Sequence, residues 1–380
     1  MKIALVSPYD YAYASGVNNH VYHLAVEYRR MGHEVKIYAP CSKRRPQYLG
    51  HGIVPLGHMI PIPHNGSMAR VTVSLWLLPK IGAILRREKF DVIHCHEPAC
   101  PLLPWLFLWM SRTVNVGTFH FYGEGSSRYW FASKTFLTTV MTKLDGRTAV
   151  SVPAMGCAKS YVSGDYKLIH NGIDLDRFSS DAPPIEEYKD GKLNILFVGR
   201  LEKRKGAEYL VRAFEIIKRE FPNSRLIVVG SSKKHREILK EFVRVQEIED
   251  VVFAGYVKDE DLANYYSTAD IFCSPAIGKE SFGIVLLEGM AVGKPIVASN
   301  IGGYPSVVTD GVEGILVPPK DEDALAEAIL RLLKDDTLRL EMGAKGKLRA
   351  QNYSWKSIAQ KTMDYYLELL SEKGRCGRHT

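Results

Sequence analysis

The chain has 380 residues, of which 46% are hydrophobic and 24% charged, a composition typical of a globular protein with two domains of about 150 to 200 residues each. No uninterrupted apolar run approaches the roughly 18 to 20 residues of a membrane-spanning helix, and the N-terminal apolar run is too short for a secretory signal, so we expect a cytoplasmic protein. The net charge is +8: residues 1–170 carry 19 Lys+Arg against 9 Asp+Glu, and the remainder carries 31 against 33.

The basic N-terminal half indicates an anionic partner. Nucleic acid, an anionic membrane surface or an acidic substrate would each account for the charge, and nucleic acid ranks last because no nucleic-acid-binding motif is present. The six cysteines lack a Cys-x-x-Cys pair and fit reduced thiols. The run His94-Cys95-His96-Glu97 suggests a metal, but strand alternation points Cys95 away from the two histidines and no second ligand cluster follows, so no metal site is predicted.

Strands and helices alternate along the first half, which predicts a parallel sheet with crossover helices and therefore an α/β class. The predicted elements are a strand at Lys2–Val6, a helix at Gly16–Met31, strands at Glu34–Tyr38, Asp91–Cys95 and Asn115–Thr118, and a buried helix within Pro101–Met110. The first three elements make one strand-helix-strand unit.

A second series of the same kind follows a stretch of linker composition. It comprises a strand at Leu193–Val198, a helix at Ala207–Arg219, a strand at Arg225–Val229, and strands near Val251 and Ile271. We predict a first domain at residues 1–175, a linker at 176–191, a second domain at 192–354, and a last helix in 355–380 that could cross back to the first domain. Two open parallel sheets would bind ligands at the carboxyl ends of their strands, in a cleft between the domains.

The stretch Glu280–Glu288 is the most informative motif. It places two carboxylates on either side of a Ser-Phe-Gly turn that should open a helix near Phe282. The N–H groups at the helix start can hold phosphates, and the carboxylates can accept hydrogen bonds from sugar hydroxyls, which suits a sugar nucleotide. The alternative is an N-capped helix with two solvated acids.

A second motif follows the strand that ends at Val198. Arg200 and Lys205 bracket a turn that leads into a helix, where cations suit a diphosphate whose charge grows as the glycosidic bond breaks. Lys203 and Arg204 are interpreted as solvated, and the alternative for the whole motif is a solvated basic turn.

The first half offers weaker signals. Gly16 allows close backbone approach to a ligand, but the Gly-x-Gly-x-x-Gly fingerprint of dinucleotide binding is missing, which counts against a dehydrogenase. His120 follows a strand, where it could serve as a hydrogen-bond partner or an electrostatic aid, and a structural role is equally compatible with its position.

Taken together, these motifs resemble those of the GT-B retaining glycosyltransferases. The residues concerned are Gly16, Phe90–Pro98, Asn171-Gly172, Gly199-Arg200, Lys205-Gly206 and Glu280–Glu288. The resemblance runs from Lys2 to about Tyr366, and the stretch Pro61–Arg70 is similar to the phosphatidylinositol α-mannosyltransferases. It implies two Rossmann-like domains facing across a cleft, and transfer of mannose from GDP-mannose to the inositol ring of phosphatidylinositol at the cytoplasmic membrane face.

The resemblance also implies site residues. The donor would be bound by Gly16, Arg200, Lys205, Glu280, Ser281, Phe282, Gly283 and Glu288, and the inositol phosphate head group by Tyr9, Asn18, Asn65, Ser67, Arg70 and His120. His120, Arg200, Lys205 and Glu280 would act in catalysis. No cofactor beyond the nucleotide sugar and no essential catalytic metal are expected.

Peripheral membrane contact has a signal of its own. The segment Leu75–Lys89 combines apolar residues with Lys80, Arg86, Arg87 and Lys89, and Trp105 and Trp109 follow it. Cations attract anionic lipid and aromatic rings favour the head-group level, so part of this region could lie at a membrane surface. A core helix with a solvated basic face is the alternative.

Other functions stay open at this point. A related transferase could use a UDP-glucose type donor with another lipid or a soluble acceptor, a sugar-nucleotide epimerase could share the architecture, and a non-catalytic sugar-nucleotide binder is a third possibility. A same-face attack and a covalent intermediate are both compatible with the residues. The oligomeric state is not indicated.

Overall fold

A computed structural model describes residues 1–13, 15–42, 52–57, 59–64, 67–72, 74, 76–123 and 134–376. They form two compact units, Met1–Asn171 with Trp355–Thr380, and Gly172–Ser354. Residues 176–191, which were expected to be a linker, lie within the second unit, and Phe178 is buried in its core.

The first unit contains a sheet with helices on both faces. Its strands are β1 (Lys2–Val6), β2 (Glu34–Ala39), β3 (Ile53–Pro55), β6 (Val92–His96), β7 (Val114–Phe119), β8 (Gly146–Ala149) and β9 (Lys167–Leu168), with a separate antiparallel hairpin of β4 (Met59–His64) and β5 (Ser67–Thr72). Its helices are α1 (Gly16–Arg30), α2 (Leu77–Glu88), α3 (Leu103–Met110), α4 (Lys134–Met141), α5 (Val152–Lys159) and, from the end of the chain, α13 (Trp355–Cys376).

The second unit repeats this plan. Its strands are β10 (Leu193–Val198), β11 (Ser224–Val229), β12 (Val251–Gly255), β13 (Ile271–Ser274), β14 (Ile296–Ser299) and β15 (Gly314–Val317). Its helices are α6 (Ala207–Glu220), α7 (Lys233–Val245), α8 (Leu262–Thr268), α9 (Ile284–Ala291), α10 (Tyr304–Val307), α11 (Glu322–Lys334) and α12 (Asp336–Ala350).

Both sheets are parallel and both reverse their strand order at the first strand of the unit. The orders are β3-β2-β1-β6-β7-β8-β9 and β12-β11-β10-β13-β14-β15. In open α/β sheets a ligand binds beyond the carboxyl ends of the strands at such a reversal. The predicted α/β class, with two Rossmann-like parallel sheets, is therefore confirmed, and attention falls on the loops after β1 and β6 and after β10 and β13.

The sequence explains these elements through burial. β10 is almost continuously apolar because a strand of a parallel sheet is covered on both faces. α6 buries Leu210, Val211, Phe214 and Ile217, spaced so that they share one helical face. Each sheet lies between two apolar clusters, and α3, predicted as a buried helix, packs in one of those of the first unit.

The last helix belongs to the first unit. α13 buries Trp355, Ile358, Met363 and Tyr366 in the same cluster as residues of β1, β2 and α1. Among the described residues, no helix is both long and apolar enough to cross a membrane.

Candidate active site

One cluster of charged residues lies in the loops after β10 and β13. The loop after β10 contains a short 3₁₀ helix, Lys203–Lys205, and ends at Gly206 with a φ of +71°. A Cβ on Gly206 would lie 1.9 Å from the carbonyl oxygen of Pro275, so only glycine permits this approach of the two loops. The N–H of Ile277 also donates to the carbonyl of Arg204 over 2.9 Å. These contacts bring the cations of one loop to the carboxylate of the other.

Two cations meet Glu280 at a single carboxylate oxygen. Oε1 of Glu280 lies 2.8 Å from Nζ of Lys205 and 2.5 Å from Nη1 of Arg204. Because Glu280 is buried, these ion pairs are shielded from water and interact more strongly than a surface pair would. The predicted site residues Lys205 and Glu280 are thus in direct contact.

Arg204 is a residue of this cluster that sequence reasoning interpreted wrongly. It was expected to be solvated, but its guanidinium contacts Glu280 and also Glu202, through Nε at 3.0 Å from Oε2. The expectation failed because the partner Glu280 lies 76 positions further along the chain. Lys203 is exposed, as predicted.

Arg200 lies at the solvent side of the cluster. Its Nη1 is 3.0 Å from Oε1 of Glu202, so Glu202 joins Arg200 to Arg204. With Lys205 and Glu280, the cluster holds three cations and two carboxylates. The resulting excess of positive charge suits an anionic ligand with several oxygens, such as a diphosphate.

The helix that follows Glu280 begins later than predicted. α9 starts at Ile284, because Gly283 has a φ of +99° and closes the turn ahead of the helix. A Cβ on Gly283 would lie 2.7 Å from the ring of Tyr304, which fixes glycine at this position. The ring of Phe282 is buried in the core, so its backbone is the part of this predicted donor-binding residue that can face a ligand. Ser281 beside it is half-buried.

Glu288 lies within α9 and contacts α8. The hydroxyl of Tyr266 donates to its Oε2 over 2.6 Å. Burial raises the pKa of Glu288, and the hydrogen bond from Tyr266 opposes that rise. Tyr266 was not singled out from the sequence, where a tyrosine in an apolar helix gives no signal of a polar partner.

A second cluster lies at the carboxyl ends of three neighbouring strands of the first unit. Tyr9 follows β1, Glu97 follows β6 and His120 follows β7. Gly16 opens α1, and the hydroxyl of Ser15 caps this helix by accepting a hydrogen bond from its third residue over 3.1 Å. The topology thus brings Tyr9 and His120 to one edge of one sheet.

Asn18 is held inside the first unit. Its Nδ2 donates to the carbonyls of Asp10 and Tyr13 over 2.9 and 3.2 Å, and its Oδ1 accepts from the hydroxyl of Ser7 over 2.8 Å. Since both amide hydrogens are engaged by the protein, these contacts favour a structural role in the loop after β1 over the predicted contact with a head group.

Four histidines are buried at this edge of the first sheet, namely His20, His94, His96 and His120. Nδ1 of His96 lies 3.1 Å from Nε2 of His120, so one ring donates and the other accepts. Burial lowers the pKa of His94 to about 3 and that of His20 to about 4, and it lowers the pKa values of His96 and His120 well below the usual range. At neutral pH His120 is therefore a neutral hydrogen-bonding group, which disfavours the electrostatic role considered from the sequence. Within the described ranges, no three His, Cys, Asp or Glu side chains are arranged to hold a metal ion.

Arg70 contacts the loop after β1. Its guanidinium lies over the ring of Tyr13, 3.9 Å from the centroid, and its carbonyl accepts from the N–H of Asp10 over 3.0 Å. Ser67 is described only as the first residue of β5, and Asn65 lies outside the described residues. Arg70 and Tyr9 are thus tied to the same loop.

The segment predicted to contact a membrane forms α2 and its flanks. Leu77, Ile81 and Ile84 pack into the core, whereas the side chains of Lys80, Arg86, Arg87 and Lys89 are exposed. Trp105 is only 8% exposed because α3 packs beside α2. This burial excludes Trp105 from contact with lipid. Trp109 is 51% exposed, and Trp76, which the sequence did not single out, is 89% exposed at the start of α2.

Comparison with known proteins covers nearly the whole chain. Residues 180–349 match the family described as Glycosyl transferases group 1, and residues 14–177 match Glycosyltransferase Family 4. The phosphatidyl-myo-inositol mannosyltransferase of Mycolicibacterium smegmatis is 35% identical over 373 residues, covering 96% of this chain and 93% of that protein. The D-inositol 3-phosphate glycosyltransferase of Corynebacterium urealyticum is 26% identical and covers 100% of this chain and 99% of its own length. The crystal structure of a glycosyltransferase from Rickettsia africae superposes with a TM-score of 0.79 at 19% identity, covering 97% and 98% of the two chains.

Proposed function

Because this chain belongs to the GT-B glycosyltransferase family that includes the phosphatidyl-myo-inositol mannosyltransferases, we propose that it moves mannose from GDP-mannose to the inositol ring of phosphatidylinositol. The proposed transfer retains the anomeric configuration. Identity of 35% over nearly the full length of a phosphatidyl-myo-inositol mannosyltransferase supports mannose as the transferred sugar and phosphatidylinositol as the acceptor.

The observation that carries the proposal is the contact of Arg204 and Lys205 with Glu280 beyond β10 and β13. A nucleotide sugar requires cations for its diphosphate and carboxylates for its hydroxyls, and this cluster supplies both within a few ångströms. Lys205 and Arg200 would stabilise the negative charge that develops on the departing diphosphate, and Arg204 would add to it. These side chains supply the neutralising charge in the proposed reaction, which includes no essential catalytic metal.

The acceptor is proposed to lie against the first unit. Arg70 offers one cation for the phosphodiester, and Tyr9 and the neutral His120 offer hydrogen-bonding groups for the inositol ring. Asn65 and Ser67 are proposed to contact the same head group, as the resemblance implies. A same-face attack and a covalent intermediate remain the two mechanistic alternatives.

We place the enzyme on the inner face of the cell membrane as a peripheral protein. The exposed cations of α2 and the exposed rings of Trp76 and Trp109 support this, since cations attract anionic lipid and indole rings favour the head-group level. Phosphatidylinositol would then be both substrate and part of the surface that attracts the protein.

A second candidate function uses the same donor site with a different acceptor. The similarity to a D-inositol 3-phosphate glycosyltransferase favours a soluble inositol phosphate, which shares the ring and the phosphate but lacks the lipid. Arg70 and His120 would bind both acceptors in the same way, so only the reaction products distinguish the two candidate functions.

The test is mass spectrometry of the products formed by the purified protein. GDP-mannose and UDP-glucose are each supplied with phosphatidylinositol vesicles, with soluble inositol phosphate, or with no acceptor, and Lys205→Ala is run in parallel. A hexose-bearing phosphatidylinositol formed from GDP-mannose by the wild type alone is the expected result. A mannosylated soluble inositol phosphate would establish the second candidate, and donor conversion without an acceptor would indicate an epimerase or hydrolase.

A further inference from the structure

Glu97 stands in an unusual place at the carboxyl end of β6. It is only 5% exposed and has a φ of +48°, a left-handed conformation that residues with a Cβ rarely adopt. Its N–H donates to the carbonyl of Thr118 in β7 over 2.8 Å, and its own carbonyl accepts from Cys100 over 2.9 Å. The backbone is thus held in a strained turn that directs this side chain toward the end of the neighbouring strand.

The carboxylate of Glu97 is used by the loop that follows β7. Its Oε1 accepts the N–H of His120 over 2.5 Å, and the N–H of Phe121 gives it a second backbone hydrogen bond. β6 ends at His96, so its backbone supplies no further carbonyls to these two N–H groups. The side chain of Glu97 replaces the missing strand partner and fixes where the loop leaves the sheet.

Glu97 forms no salt bridge with any Lys, Arg or His in the described part of the chain, and no cation contributes to the shift of its pKa. The ionisable groups that face it are Tyr9 from the loop after β1, Cys100 from the loop after β6, and Cys157 and Tyr161 from α5 and the turn beyond it. Burial raises the pKa of Glu97 to about 7, although the two backbone hydrogen bonds oppose the rise. Among the described residues, therefore, no ion pair accounts for this buried acid.

We infer, on the basis of the proposed function, that Glu97 is a positioning residue whose ionised carboxylate sets the backbone at His120 and thereby the acceptor side of the site. An ionised carboxylate accepts both N–H groups, whereas a protonated carboxyl carries a hydrogen on one oxygen and loses part of that capacity. The backbone at His120 and Phe121 is consequently held in its productive position above neutral pH, and it loses this hold as the pH falls. Glu97 acts through His120, since its own oxygen is occupied by backbone donors.

The experiment compares the wild type with Glu97→Gln between pH 5.5 and 8.5. We expect kcat/KM for phosphatidylinositol to fall about tenfold in the wild type from high to low pH, and to be low and nearly independent of pH in the variant. GDP affinity should stay within twofold, because the cations and Glu280 are unchanged. Glu97→Asp, which keeps the charge but shortens the reach, should lower kcat/KM while keeping the dependence on pH. Glu34→Gln, at an exposed acid of the same unit, should match the wild type.

A second readout does not depend on activity. In the wild type the amide signals of His120 and Phe121 should titrate together with an apparent midpoint near pH 7 in nuclear magnetic resonance spectra, and in Glu97→Gln they should not. A wild-type pH profile in Glu97→Gln, or amides that do not titrate in the wild type, would overturn the inference. If the wild type transfers no sugar to phosphatidylinositol, the proposed function fails, and the amide titration still decides the role of Glu97.

Discussion

The hydroxyl of Tyr266 and the carboxylate of Glu288 are joined by a hydrogen bond of 2.6 Å between α8 and α9. Tyr266 is fully buried, so its hydroxyl has no competing water, and it fixes one oxygen of Glu288. A tyrosine on one helix thus controls the orientation of a carboxylate that the donor is proposed to use.

Tyr266→Phe removes this hydroxyl and nothing else. We expect the affinity for GDP-mannose to fall about tenfold, because a hydrogen bond to a charged group is lost and Glu288 can rotate away from the ligand. Calorimetric titration with GDP-mannose measures the change. Tyr265→Phe, at the neighbouring half-buried position, is the matched control and should bind as the wild type does. Equal affinity in Tyr266→Phe would show that Glu288 does not depend on this contact.

Lys205→Ala should lower kcat/KM by about 100-fold or more. The reason is that Lys205 is proposed to stabilise charge on the leaving diphosphate, where single donors have effects of that size. Steady-state transfer rates with GDP-mannose check it, and circular dichroism confirms that the fold is retained. Lys203→Ala removes an exposed cation from the same short helix and should stay within twofold of the wild type. Full activity of Lys205→Ala would remove this residue from the mechanism.

Glu88 makes the stability of the first unit depend on pH. Its carboxylate lies 2.8 Å from Nζ of Lys2, 2.5 Å from Nζ of Lys36 and 2.7 Å from Nη2 of Arg87. Hydrogen bonds from Lys2 and Lys36 lower the pKa of Glu88 from 4.5 to about 2. Because the folded pKa lies below the unfolded one, this stabilisation is present above pH 4.5 and is lost as the pH falls toward 2.

Glu88→Gln should lower the free energy of unfolding of the first unit by about 1 to 2 kcal/mol at pH 7, because solvent screens the partly exposed cations, and the difference from the wild type should shrink as the pH approaches 2. All five tryptophans of the chain belong to the first unit, so tryptophan fluorescence during urea unfolding reports on the unfolding of this unit. The control is Glu34→Gln, an exposed partner of the same lysines, which should change the free energy by less than about 0.5 kcal/mol. If the difference in the free energy of unfolding between Glu88→Gln and the wild type does not vary with pH, the ion pairs of Glu88 are not the source of the pH dependence.

Lys80→Ala and Arg86→Ala should each weaken binding to vesicles containing phosphatidylinositol about fivefold, the effect of roughly 1 kcal/mol per cation near an anionic surface. Trp76→Ala should weaken it further through loss of an exposed indole ring. Co-sedimentation in low and physiological salt measures the binding. Lys345→Ala removes an exposed cation from α12 in the second unit and should leave binding unchanged. If Lys80→Ala, Arg86→Ala and Trp76→Ala all bind the vesicles as strongly as the wild type does, α2 does not contact the lipid.

The sequence was sufficient for the α/β class and for the central strands β1, β2, β6, β7, β10 and β11, because buried parallel strands are continuously apolar, but it did not predict the antiparallel hairpin of β4 and β5. It also assigned Lys205 and Glu280, which belong to two separate motifs, to the same donor, and the structure brings these two side chains into contact. Arg204 could not be assigned, since a cation in a basic turn looks solvated until its distant carboxylate is known. The sequence could likewise not predict that Trp76 is exposed and Trp105 is buried, because both depend on how α2 and α3 pack.

The position of α13 has a consequence for synthesis on the ribosome. The second unit is one continuous stretch, Gly172–Ser354, and can complete its core once that stretch has emerged. The first unit is made earlier but lacks Trp355 and Tyr366, which fill its core, until the segment that follows the second unit has been synthesised. The first unit is therefore translated before the second unit but completes its core after it, and the apolar surface that α13 covers has no partner from α13 in the interval.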